Sequence, residues 1–169
     1  MKEIKKISLF SLFLSLALAA HWLENLFIPL PFLPGFRIGF ANSFTLLVLL
    51  IYGTVEAFVF ALLRVVIGSA GSGAFLGPVF YLSLAGSMAS VLTMAFLRDF
   101  FKPFFSEIGL GIAGAAAYNT IQLLMLSEFW RYRELMSLIP AAAALSIFPG
   151  ILVGMIAGLM RKRIDLGKK

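Results

Sequence analysis

Apolar runs fill almost the whole chain, and only short segments rich in proline, glycine or charge separate them. A helix needs about 20 mostly apolar residues to cross the hydrocarbon core of a bilayer. The pattern therefore predicts an all-α integral membrane protein in which residues 1–169 form one transmembrane domain, a bundle of six helices. The predicted spans cover approximately residues 7–28, 38–52, 55–67, 75–97, 108–126 and 138–160.

The second and third predicted spans are short. A helix of ~15 residues reaches only about 22 Å, which is less than the roughly 30 Å of hydrocarbon. These spans either cross where the bilayer is thin, or enter it and return as a re-entrant pair shielded by neighbouring helices. Both alternatives bring the chain back to the same side, so they predict the same topology for the other spans.

The first predicted span also resembles a secretory signal peptide, because a basic start precedes it and Ala17-Leu18-Ala19 has the form of a cleavage site. The apolar run continues past Ala20, and this favours a retained first helix.

Charge predicts how the bundle lies in the membrane. Hydrophobic residues make up 61% of the chain and charged residues 13%, against about 25% charged in soluble domains. The net charge of +6 comes from the chain ends and short loops, which indicates lipid headgroups rather than nucleic acid as its surroundings.

An even number of spans puts both termini on one side of the membrane. The positive-inside rule makes that side the cytoplasm, so we predict a multi-pass protein of the cell membrane. That side holds ten of the fourteen basic residues: Lys2, Lys5, Lys6, Arg98, Lys102, Arg161, Lys162, Arg163, Lys168 and Lys169.

Polar side chains inside or bordering the spans gather towards the opposite, outer half of the predicted bundle. A polar or charged group in hydrocarbon costs free energy, so such residues indicate a functional site. We predict a site for a small-molecule ligand that opens outward. Its candidate residues are His21, Glu24, Arg37, Asn42, Arg64, Tyr118, Asn119 and Gln122.

Several of these residues also have a structural interpretation. His21 could place its ring at headgroup level, and Glu24 with Arg64 could form a structural ion pair. Asn119 and Gln122 could hold helices together, at about 0.6 kcal/mol each. The gathering of all these residues in one half of the membrane favours the ligand site.

Two ridges of small residues predict close helix packing, because small side chains let backbones approach. Gly150, Gly154 and Gly158 form one ridge in the sixth span, which we expect to pack within the bundle. Ser11, Ser15 and Ala19 form the other on the cytoplasmic half of the first span. A membrane partner could reach this second ridge, so we predict that it is a docking surface.

Residues for catalysis are scarce. The chain has no cysteine and one histidine, so no clustered metal site is expected. The aspartates, Asp99 and Asp165, are far apart, whereas magnesium-assisted diphosphate chemistry usually employs clustered carboxylates. The loop Gly71-Ser72-Gly73 lacks the lysine of a phosphate-binding loop. We therefore expect neither an enzyme nor a cofactor.

A family resemblance rests on a local motif. The segment Pro34-Gly35-Phe36-Arg37-Ile38-Gly39-Phe40-Ala41-Asn42 resembles the signature of the Gx transporter family, which is often labelled heptaprenyl diphosphate synthase component I. Further matches are Glu24, Leu63-Arg64-Val65 with Gly68-Ser69, and Gly114-Ala115 with Asn119 and Gln122. Tyr118 departs from the family pattern, which has histidine before the asparagine.

The resemblance implies an architecture like that of the substrate-binding S components of energy-coupling factor transporters. Such proteins have six helices, cytoplasmic ends and a small-molecule site that opens outward. Their first helix docks on a transmembrane coupling subunit, which works with ATPases. The predicted function is therefore the substrate-binding subunit of an importer for a small, vitamin-type molecule. The alternative is a non-catalytic membrane subunit in polyprenyl diphosphate or quinone metabolism, or in flavin-linked membrane electron transfer.

Overall fold

The described part of the chain is helical throughout. The computed structural model describes residues 2–27, 39–101, 104–131 and 133–166, and each regular element in these ranges is a helix. The elements are α1 (Lys2–Phe27), α2 (Phe40–Ile51), α3 (Thr54–Gly71), α4 (Pro78–Phe100), α5 (Glu107–Trp130), a 3-10 helix (Arg133–Leu138), α6 (Ile139–Leu145) and α7 (Ile147–Leu166).

Four of these helices, α1, α3, α4 and α5, are long and apolar enough to cross a membrane. The segment from Arg133 to Ile164 would be a fifth span, bent by 42° after Leu145. Large apolar side chains point outward along the helices, among them Val55, Leu92 and Leu159. So much exposed apolar surface is rare in a soluble monomer and fits a lipid environment. The membrane-bundle class predicted from the sequence agrees with these helices.

The third predicted span is longer than expected. Helix α3 continues through Gly68, Ser69 and Ala70 to Gly71, a stretch that the glycine and serine content had indicated as a loop. Ser69 donates a hydrogen bond to the Val65 carbonyl one turn back, which satisfies its hydroxyl within the helix. At 18 residues α3 is about 27 Å long, closer to the roughly 30 Å of hydrocarbon than the length of ~15 residues expected from the sequence.

Helix α2 remains short, at 12 residues, and it occupies the centre of the bundle. Eight of its residues are buried, and α1, α3, α4, α5 and α7 all contact it. Its second half, Leu46–Ile51, is apolar on every side, and such a helix packs in a core. Since protein rather than lipid surrounds most of α2, its length does not have to match the bilayer thickness.

The sixth predicted span is broken rather than continuous. The predicted helix over residues 138–160 is divided into α6 and α7, and Ser146 lies between them. Pro149 has no N–H, so it cannot donate to the carbonyl four residues before it. Ser146 donates to the Ala142 carbonyl (Oγ to O, 2.7 Å), a bond that often bends helices.

The glycine ridge of α7 packs within the bundle, as the sequence predicts, and its neighbour is α5. A Cβ at Gly150 or Gly154 would overlap the backbone of Ile112 or Ile108, and one at Gly111 would overlap the Gly150 carbonyl. The two backbones therefore touch directly. Gly158 lies at the looser end of the ridge, where a Cβ would be 3.7 Å from the Glu107 Cβ.

Ion pairs and hydrogen bonds tie helix termini together at one end of the bundle. Lys6 Nζ is 2.9 Å from Glu56 Oε1, Arg98 donates to the Leu49 carbonyl, and Arg161 Nη1 is 3.0 Å from Glu107 Oε1. We call this the basic end. The helices thus run alternately towards and away from it, and α1 finishes at the opposite end beside the start of α2 and the finish of α3.

The α5–α7 contact predicts that Gly154→Ala lowers the thermal stability of the detergent-solubilised protein. The added methyl would meet the Glu107 carbonyl oxygen at 2.6 Å, and overpacking of this kind costs about 1–3 kcal/mol. Gly158→Ala is the matched control, because it brings the same gain in helix propensity without a clash. Thermal unfolding followed by circular dichroism would compare the two variants. Equal melting temperatures would contradict the backbone contact.

Candidate functional site

A buried layer of polar side chains crosses α3, α4 and α5. Arg64 of α3 is 5% exposed, and its Nη2 donates to the hydroxyl of Ser87 in α4 at 2.8 Å. Gln122 of α5 is 2% exposed, and its amide nitrogen lies 3.1 Å from the phenol oxygen of Tyr118. A charged guanidinium in the interior of a membrane bundle is expensive, so its retention indicates a role.

Gly86 brings the two hydrogen-bonded pairs together. A Cβ on Gly86 would lie 3.1 Å from both the Gln122 Cγ and the Tyr118 ring. The backbone of α4 therefore packs directly on these two side chains. The next residue, Ser87, accepts the bond from Arg64. The pair Arg64 with Ser87 and the pair Tyr118 with Gln122 therefore meet α4 at adjacent residues, and we call these four side chains the polar layer.

Asn119 extends the polar layer towards the bend between α6 and α7. Its amide nitrogen donates to the Ser146 hydroxyl at 2.9 Å, and that hydroxyl in turn donates to the Ala142 carbonyl. Both side chains are buried, at 1% and 0% exposure. The broken segment is thus tied to the layer by side chains as well as by packing.

The polar layer lies nearer the end opposite the basic end. Arg64 is seven residues before the finish of α3, Gln122 is eight before the finish of α5, and Ser87 is nine after the start of α4. At 1.5 Å per residue these positions are about 10–14 Å below that end.

Glu24 and Asn42 lie at the junction of α1 with the start of α2. The Glu24 carboxylate accepts the backbone N–H of Phe40, the first residue of α2, at 2.5 Å. A helix N-terminus carries unpaired N–H groups and partial positive charge, so a carboxylate stabilises it. Asn42, 4% exposed, packs its amide against Gly39, whose φ of +80° suits a residue without a Cβ.

His21 is half-buried and packs against α3 near the end opposite the basic end. A Cβ on Gly68 would lie 3.2 Å from its ring, and the neighbouring Trp22 donates its indole N–H to the Gly68 carbonyl at 3.3 Å. Arg37, the remaining candidate, lies outside the described residues.

Some polar atoms of the interior lack a hydrogen-bond partner. Among the described residues these include the Gln122 carbonyl oxygen and the hydroxyls of Ser43, Thr45 and Ser90. A buried acceptor or donor left unpaired costs about 1–3 kcal/mol, so such atoms are expected where water or a ligand binds. Within the same part of the chain, no three histidine, aspartate or glutamate side chains are grouped as a metal ion requires.

Sequence reasoning missed Ser87 and Ser146 as members of the layer. Neither serine is among the site residues that the sequence predicts. A signal for Ser87 was available, since Ser83, Gly86, Ser87 and Ser90 share one face of α4.

The predicted docking ridge faces away from the bundle. Ser11, Ser15 and Ala19 are exposed on one side of α1, whereas Phe13 and Ala17 are buried on the other. The Ser15 hydroxyl bonds to the Ser11 carbonyl at 3.0 Å, so it is satisfied within its own helix. The ridge therefore exposes small side chains next to the exposed Leu12 and Leu16.

Comparison with known proteins gives a family and no nearer relative. No curated protein matches the chain, and no solved structure matches it. The model of the family described as heptaprenyl diphosphate synthase component I matches residues 13–160, from the middle of α1 to the last turns of α7. Because this match covers far more than half of the sequence, the chain belongs to the heptaprenyl diphosphate synthase component I family.

Proposed function

We propose that this chain is a non-catalytic membrane subunit that captures a small polar molecule in the polar layer and serves an importer as its substrate-binding subunit. The observation that carries the proposal is the placement of two buried hydrogen-bonded pairs, Arg64 with Ser87 and Tyr118 with Gln122, at adjacent residues of α4. Structural polar residues in membrane bundles usually contribute little each. A buried cation and an unpartnered amide oxygen in the same layer support recognition of a ligand.

The polar layer predicts the chemistry of that ligand only broadly. Arg64 and Asn119 contribute donors, the Gln122 oxygen is an acceptor, and Tyr118 adds an aromatic wall. A small molecule with both hydrogen-bond acceptors and donors would be complementary to this set. His21, Glu24, Arg37 and Asn42 would border its route from the outer face.

Native mass spectrometry of the detergent-extracted protein tests the ligand site. Wild-type protein should carry a small polar molecule, and Gln122→Leu and Arg64→Met should each lose it. Removing one hydrogen-bond partner from a desolvated site costs about 2–5 kcal/mol, which corresponds to at least a tenfold loss of occupancy. Lys6→Met, at the basic end, is the control and should retain the molecule.

Absence of any bound polar molecule from wild-type protein extracted from its native membrane would contradict the ligand site. Retention of the molecule at full occupancy by stably folded Gln122→Leu protein would contradict the role of the layer. Thermal unfolding of each variant separates loss of ligand from loss of fold.

The exposed ridge on α1 is the proposed contact with a coupling subunit. Ser15→Leu should abolish co-purification with a transmembrane partner, because a large side chain holds a packed helix away. Ser15→Ala keeps the surface small and should retain the partner. Since Ser15 is exposed, both variants should melt like wild type. Equal recovery of the partner with Ser15→Leu would exclude this ridge.

In the proposed orientation there are six spans, α2 among them, and the basic end lies in the cytoplasm. The native chain has no cysteine, so single cysteines can report this topology. Ser72→Cys and Ser137→Cys, both exposed, should react with an impermeant thiol reagent on intact cells. Phe104→Cys and Lys162→Cys should react only after permeabilisation. The reverse pattern would overturn the orientation.

The family name favours a second candidate, a membrane subunit associated with heptaprenyl diphosphate synthesis. In that case the chain would be the partner of a synthase component that carries the catalytic residues. The mass-spectrometry experiment distinguishes the two functions, since a bound polyprenyl or quinone species in place of a polar molecule would support the second.

A further inference from the structure

A cavity of about 330 Å³ opens at the basic end, away from the polar layer. The finish of α2 and α4, the start of α5 and the last turns of α7 enclose it. Four charged residues line it, Arg98, Asp99, Glu107 and Arg161, together with apolar side chains that include Phe105. Its volume is within the usual range of small-ligand sites, about 300–1,000 Å³.

The described charged side chains of the cavity form two ion pairs. Arg98 Nε is 2.8 Å from Asp99 Oδ1, and Arg161 Nη1 is 3.0 Å from Glu107 Oε1. Arg98 also donates to the Thr54 hydroxyl at 2.9 Å and to the Leu49 carbonyl, so its guanidinium is fixed between α2 and α3. Among the residues that the structure describes, the cavity thus offers two cations and two anions.

A row of phenylalanines leads from the outer surface of α4 to the cavity. Phe96 contacts Phe100 and Phe101, with ring centroids 4.9 and 6.0 Å apart, and Phe101 contacts Phe105 at 6.4 Å. Phe96 and Phe100 are 54% and 74% exposed, whereas Phe105 lines the cavity. An apolar path therefore connects the lipid-facing surface with the charged cavity.

We propose that this cavity binds the headgroup of a zwitterionic amphiphile that carries a phosphodiester and a primary ammonium, the chemistry of phosphoethanolamine. The phosphate would contact Arg98 and Arg161, the ammonium would contact Asp99 and Glu107, and the acyl chains would lie along the phenylalanine row. A guanidinium binds phosphate oxygens through two donors, and an ammonium offers three donors to carboxylates.

Charge complementarity distinguishes this ligand from the diphosphate in the family name. A diphosphate monoester could pair with Arg98 and Arg161, but it carries no cation to replace them beside Asp99 and Glu107. A zwitterion complements both kinds of charge in the described lining. A trimethylammonium group has no N–H, so it cannot donate to Asp99 or Glu107.

A lipid-selectivity experiment tests the proposal on the full chain. The protein in nanodiscs would be doped with equal amounts of phosphatidylethanolamine, phosphatidylcholine and phosphatidylglycerol, and retained lipids would be counted by native mass spectrometry. We expect phosphatidylethanolamine to be retained roughly tenfold or more over phosphatidylcholine, the scale of a charge-assisted hydrogen bond. Equal retention of the three lipids, or a preference for phosphatidylglycerol or added farnesyl diphosphate, would overturn the proposal.

A matched pair of double variants locates the selectivity. Glu107→Gln with Arg161→Gln removes one ion pair of the cavity and should abolish the preference. Lys6→Gln with Glu56→Gln removes an ion pair of similar length, 2.9 Å, at the same end but outside the cavity, and should leave the preference intact. Loss of the preference in both, or in neither, would refute the assignment to the cavity. If the first variant fails to fold, the wild-type lipid comparison still decides the proposal.

Free phosphoethanolamine distinguishes the two sources of this headgroup chemistry. If the lipid is the natural occupant, millimolar phosphoethanolamine should displace it poorly, and Phe101→Ala should weaken retention of the lipid. Complete displacement at that concentration, with no effect of Phe101→Ala, would indicate a soluble zwitterion and refute the role of the phenylalanine row.

Discussion

The direct backbone contact between α5 and α7 is the interaction on which the rest of the bundle depends. In a bilayer, lipid tails are as apolar as leucine, so helices associate through close packing rather than through apolar burial alone. Gly111, Gly150 and Gly154 permit that packing because none carries a Cβ. Helix α5, fixed in this way, also packs on α4 through Gly86 and Gly114, and it directs Asn119 towards the bend after α6.

Burial of α2 divides the interior into an apolar and a polar part. The run Leu46-Leu47-Val48-Leu49 is completely buried and joins side chains of the surrounding helices in one core. This apolar core lies towards the basic end, and the polar layer lies nearer the opposite end. A charge such as Arg64 is tolerated there because the neighbouring helices supply hydrogen-bond partners that lipid cannot.

The two ends of the bundle have different chemistry, which bears on the meaning of the family name. The polar layer and Glu24 lie towards one end, and balanced ion pairs surround a cavity at the other. Neither place gathers the carboxylates that a magnesium-dependent synthase would use, within the ranges that the structure describes. In the second proposed function, this chain would bind and position while the chemistry takes place on a partner.

The sequence by itself determined the helical membrane class, the family and most of the helices, because hydrophobic run length and the positions of proline and glycine act locally. It also indicated which polar residues are buried, because a polar side chain within an apolar helix would otherwise face lipid, which costs free energy. Only the tertiary structure decided their partners: Ser87 for Arg64, Ser146 for Asn119 and the α2 N-terminus for Glu24. Those partners come from helices distant in the chain, and the rotation of each helix about its axis is set by packing. The extra turns of α3 and the break at Ser146 likewise depend on hydrogen bonds and neighbours that composition does not encode.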